Sequence, residues 1–143
     1  MRCAPKGDPL LRQVRVFIAE DEPFIALNLA SEVQEAHGHV IGPAGSVAEA
    51  LSLLEHTQPH VGLLDANLSD GIITPVAELL RARAVPILFY CGQLPAHLRY
   101  PGVPVYIKPM PPYELVIEIA ALLRRVGNRS SSTPAILSHN CRA

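Results

Sequence analysis

The feature that most constrains this chain is an alternation. Short apolar runs of strand length recur between stretches with helical spacing, and three of those runs stop at charged residues. The first run, Val14-Arg15-Val16-Phe17-Ile18-Ala19, is rich in the branched and aromatic residues that strands favour, and Glu20, Asp21 and Glu22 follow it. Pro23 suits the first turn of a helix, where its missing N–H does no harm. Ile25, Leu29, Val33 and Ala36 then keep helical spacing as far as His37-Gly38, where glycine is a natural stop. His39-Val40-Ile41 reads as a short second strand. Ser46-Val47-Ala48-Glu49 is a capping-box pattern, with Val47, Leu51 and Leu54 as the apolar stripe behind it.

The pattern continues to the end of the chain. His60 to Leu64 forms a third strand that ends at Asp65, and Thr74-Pro75 opens a helix carrying Val76, Leu79 and Leu80. Pro86 to Tyr90 is a fourth strand leading into Cys91. Between Gly92 and Gly102, Pro95 and Pro101 bracket a helix of two turns at most. Val103 to Ile107 is a fifth strand, placed at a sheet edge by Pro104 and followed by Lys108-Pro109. Pro112 starts a last helix with Leu115, Ile119, Leu122 and Val126 on one side. Five strands alternating with helices predict a parallel sheet covered on both faces, which explains why the strands are apolar almost throughout. Residues 13–126 are expected to form this domain, with 1–12 and 127–143 as flexible segments.

Composition narrows the function. The 143 residues are 49% hydrophobic with a net charge of −1, so the chain is long enough for one globular domain. Its Lys and Arg are scattered, which argues against nucleic-acid binding. No apolar run approaches the roughly 20 residues needed to span a bilayer. Cys3, Cys91 and Cys141 form no CxxC pair, so neither a zinc site nor a disulfide framework is indicated. A reduced, cytoplasmic setting is expected. The six histidines show no helical pair at metal-ligand spacing.

Open parallel sheets bind ligands at the carboxyl ends of their strands. Glu20 and Asp21, Asp65, Cys91 and Lys108 are all expected at that edge. Taken singly, each has a plain structural explanation: complementing a helix dipole, capping a turn, filling core space, or carrying solvated charge. Together they assemble three carboxylates and one ammonium. Crowded carboxylates call for a hard cation, and Mg²⁺ with oxygen ligands suits them. A metal and a lysine opposite an aspartate are the equipment of phosphoryl transfer, with the carboxylate as nucleophile.

Over Val14 to Val126 these residues resemble the receiver domain of two-component response regulators. The resemblance rests on Glu20-Asp21, on Asp65 within Leu63-Leu64-Asp65-Ala66-Asn67-Leu68, and on Lys108-Pro109. It implies a flavodoxin-like, doubly wound (βα)5 three-layer sandwich with strand order 2-1-3-4-5. It implies that Asp65 accepts phosphate from a sensor histidine kinase. Mg²⁺ would be held by Asp21, Asp65 and the Asn67 backbone carbonyl, with Glu20 acting through water. Lys108 would contact the phosphoryl group, and the Lys108–Pro109 bond is often cis in the family. Val40-Ile41-Gly42-Pro43-Ala44, Asp65-Ala66-Asn67-Leu68 and Phe89-Tyr90-Cys91-Gly92 further resemble stand-alone receivers associated with HWE-type kinases.

Two departures stand out. Receivers place Thr or Ser where this chain has Cys91, and a thiol is the weaker donor. The strand-five aromatic aligns with Val105, while Tyr106 falls one position later and should face the other side. The resemblance thus implies a phosphoacceptor, a monomer or weak homodimer, that meets other proteins through a face including Tyr106 and Tyr113. The rival expectation is a pseudo-receiver that switches without phosphate because of Cys91. A metal-dependent phosphatase ranks last, because many such enzymes carry a second Asp where this chain has Asn67.

Overall fold

The computed structural model describes residues 9–131. The main sheet has five parallel strands: β1 (Arg15–Ala19), β2 (His39–Ala44), β3 (Val61–Leu64), β6 (Ile87–Cys91) and β7 (Val105–Ile107). Their spatial order is β2-β1-β3-β6-β7, which is the 2-1-3-4-5 order expected. Strand alternation divides the core into two layers. Val16, Ile18, Leu63, Leu88 and Tyr90 face α1 (Pro23–Glu35) and α4 (Pro112–Ser131). Phe17, Ala19, Leu64, Ile87, Phe89 and Cys91 face α2 (Val47–Leu54) and α3 (Thr74–Ala82). Three layers result.

Several local features differ from the sequence expectation. Between Leu68 and Ile73 the chain forms a small antiparallel hairpin, β4 (Asn67–Leu68) with β5 (Gly71–Ile72). The turn residue Asp70 accepts hydrogen bonds from the Val47 and Ala48 amides, at 2.6 and 3.1 Å, so this hairpin caps α2. Ser46 caps the same helix through the Glu49 amide, while Glu49 reaches back to the Gly45 amide.

The fourth crossover is a single 3₁₀ turn, Ala96–Leu98, rather than a helix. Pro95 stands at its N-cap, and Pro101 disfavours helical geometry at the preceding Tyr100, so little room is left for more. Tyr100 fills the place beside it. Its ring stacks on Phe89, its hydroxyl donates to Glu78 at 2.7 Å, and the Arg81 guanidinium lies 4.0 Å from its centroid.

The folded part also extends past both expected boundaries. Leu11 is fully buried and its amide donates to the Ala36 carbonyl at 2.9 Å. At the other end, Gly127 does not stop α4, which continues to Ser131. The remaining expected terminal segments, 1–8 and 132–143, lie outside the described residues. At the end of α1 the left-handed residue is His37, with φ of 70°, not Gly38. Gly38 is required by space instead: a Cβ there would sit 2.9 Å from Val33 Cγ1 and 3.1 Å from Leu11 Cβ.

β2 carries a bulge at its far end, where Phe17 to Ala19 in β1 spans Ile41 to Ala44. Gly42 makes it possible, with φ of 105°. A Cβ at Gly42 would meet the Ala44 nitrogen and the Ile18 carbonyl oxygen at 2.8 Å each.

Candidate functional site

The acidic site grows directly out of the sheet. Past the last residue of β1, the Glu20 amide donates to the Ala44 carbonyl at 2.9 Å. Past the last residue of β3, the Asp65 amide donates to the Ala19 carbonyl, also at 2.9 Å. These two bonds extend the ladder by one step on each strand and fix Glu20 and Asp65 side by side. Both residues are nearly enclosed, at 3% and 8% exposure, whereas Asp21 is open to solvent. Each of the three contributes a carboxylate oxygen, and those oxygens lie within 4.8 Å of one another.

Lys108 reaches this group from the edge strand. Its amide donates to the Cys91 carbonyl at 2.9 Å, continuing the pairing of β6 with β7. Its Nζ then lies 2.8 Å from Asp65 Oδ2, and 2.9 and 3.1 Å from the two oxygens of Glu20. The Lys108–Pro109 bond is cis. The structure thus brings Glu20, Asp21, Asp65 and Lys108 together at the carboxyl edge of the sheet. Asn67 lies at the rim, exposed, with its amide 3.5 Å from Asp65 Oδ1.

Burial dominates the electrostatics. It pushes the Glu20 carboxyl up to about 7, against the lowering effect of Lys108 and of the Glu22 amide. Burial also opposes the charge on Lys108, but its bonds to Asp65 and Glu20 outweigh that and raise its pKa. The donor set suits a hard divalent cation: all oxygen, clustered, and open to solvent on the Asp21 side.

Cys91 is enclosed, at 1% exposure, within the α2/α3 layer of the core. Burial, followed by the charge of Asp65, raises its thiol pKa. A redox-active thiol needs the opposite environment, so Cys91 is a core side chain here.

Tyr106 does face away from Val105, and it is half-buried. Its ring packs against the α1/α4 layer and its hydroxyl donates to Glu118 at 2.9 Å. Tyr113 is half-buried. The sequence also gave no hint that Tyr90 matters. Its ring centroid lies 5.6 Å from the Lys108 ammonium, and its hydroxyl is bonded to the backbone of Met110.

No protein-family model matches the chain. Among curated proteins, the transcriptional regulatory protein PdtaR of Mycobacterium tuberculosis is 36% identical over 76 residues, covering 52% of this chain and 37% of that protein. The chain therefore spans well under half the length of the curated relatives it matches. Among solved structures, the response regulator PhyR from Brucella abortus superposes with a TM-score of 0.76 at 27% identity, covering 90% of this chain and 56% of that one. SdrG from Sphingomonas melonis Fr1 is 34% identical with a TM-score of 0.66, covering 80% of this chain and 98% of that one. With the parallel sheet order and an acidic site at its carboxyl edge, these likenesses show that the chain belongs to the response-regulator receiver family.

Proposed function

We propose that this receiver is a phosphoacceptor that takes a phosphoryl group onto Asp65 from the phosphohistidine of a sensor kinase, of the HWE type. The observation that carries the reading is the Lys108 ammonium bonded to both Asp65 and Glu20, with Asp21 completing the acidic group. An Asp65 carboxylate oxygen attacks phosphorus while the nitrogen–phosphorus bond of the donor breaks. The imidazole nitrogen leaves with the electron pair. Lys108, already 2.8 Å from Asp65, supplies positive charge to the phosphoryl oxygens. Asp21, Asp65 and the Asn67 carbonyl would hold Mg²⁺, with Glu20 acting through water, and a cation held there would supply neutralising charge to the transferring group. Besides this self-phosphotransfer, water hydrolyses the acyl phosphate, restoring the Asp65 carboxylate and releasing inorganic phosphate. Signalling then runs through contacts with another protein, in the cytoplasm.

The test is labelling by acetyl phosphate, or a beryllofluoride-induced shift in NMR spectra. Both should require Mg²⁺ and disappear in Asp65→Asn. Unchanged spectra with both reagents present would remove the reading. A second reading, a pseudo-receiver that binds without phosphate, draws on the enclosed Cys91 at the position where receivers place Thr or Ser. A titration showing no Mg²⁺ binding would favour it.

A further inference from the structure

The segment Lys108-Pro109-Met110-Pro111-Pro112 joins β7 to α4, and three of its residues are proline. Proline has no amide hydrogen. From Pro109 to Pro112, therefore, Met110 holds the one backbone donor. That amide donates to the Tyr90 hydroxyl at 2.9 Å. The same hydroxyl donates back to the Met110 carbonyl at 3.1 Å. Both polar backbone groups of Met110 are thus fixed by one side chain from the neighbouring strand. Tyr90 is itself 5% exposed and held in the α1/α4 layer of the core. A rigid ring on a central strand grips a loop that could not otherwise anchor itself. Above that ring stands the Lys108 ammonium, 5.6 Å from its centroid and within the range of a cation–π attraction.

From this geometry we infer that Tyr90 is a positioning residue for Lys108. Its hydroxyl fixes the backbone two residues after Lys108, and its ring supports the ammonium that contacts Asp65 and Glu20. The inference rests on the phosphoacceptor reading for its kinetic consequence, but not for its structural one.

The test is Tyr90→Phe, which keeps the ring in the core and removes only the hydroxyl. Two readouts are taken: the Lys108 Cε–Hε NMR signal in Mg²⁺-free protein, and the rate of Mg²⁺-dependent labelling by acetyl phosphate. In Tyr90→Phe the Lys108 signal should move toward that of a solvated lysine and labelling should slow by about ten-fold. In a Lys108→Ala background the same change should have no further effect on labelling, since coupled residues are not additive. Tyr106→Phe, which removes a hydroxyl from the adjacent strand, should leave both readouts as they were. A Tyr90→Phe protein labelled at the parent rate overturns the inference, and so does a slowing of equal size with Lys108 absent. If the parent protein takes no label, the phosphoacceptor reading fails. The Lys108 signal then decides alone: a shift in Tyr90→Phe upholds the positioning role and an unmoved signal ends it.

Discussion

At the amino end of β3, His60 completes a two-way clasp with β1. The His60 amide donates to the Arg15 carbonyl at 2.8 Å, and the Arg15 amide donates to His60 Nδ1, also at 2.8 Å. That second bond needs an unprotonated Nδ1. Burial, followed by the Arg15 charge, lowers the His60 pKa below its usual 6.5. A histidine whose folded pKa is depressed takes up fewer protons folded than unfolded, so stability rises with pH. The contribution is full above 6.5 and is lost as pH falls through the folded value. An NMR titration should place the His60 midpoint below 6.5, and His60→Gln should flatten the stability–pH curve in that window. A midpoint at or above 6.5 would show that the clasp does not hold the ring neutral. Asp65 and Lys108 were legible as site residues because each follows an apolar run directly, so strand length alone set their place. Tyr90 was not legible, because its partner Met110 depends on how two strands align twenty residues apart.

Among the elements, β2 shows how one residue can set a register. Its bulge lets β2 carry Ala44 level with Ala19, and the Ala44 carbonyl then receives the Glu20 amide. Gly42→Ala would place a methyl 2.8 Å from two backbone atoms at a positive φ. It should destabilise the fold by about 2–3 kcal/mol or more in urea denaturation; a loss under about 0.5 kcal/mol would mean the bulge yields freely. The major strands and helices could be read from the sequence because their apolar periods are long. The β4–β5 hairpin was missed because strands of two residues have no period, although the Asp70-Gly71 step is a hairpin signal. Leu11 was missed for a similar reason: one apolar residue beside charged neighbours carries no pattern, and its burial comes from the tertiary fold.

Taken as a whole, the molecule draws its site from residues 20, 21, 65 and 108, so a cation bound there should oppose global unfolding. At a Mg²⁺ concentration a hundred times the dissociation constant, linkage adds about 2.7 kcal/mol. The melting temperature should therefore climb with added Mg²⁺ in the parent protein and stay level in Asp21→Asn, as followed by calorimetry. An equal rise in both would place the cation elsewhere. The three acidic groups stem from β1 and β3, which are flanked on both sides within the sheet, whereas the ammonium stems from β7, three residues long with a neighbour on one side only. Rupture under load or transient fraying starts where a sheet is least tethered. Fraying of β7 would withdraw the site's ammonium while β1 and β3 still hold its carboxylates, so the counter-charge to the acceptor can be lost without loss of the fold.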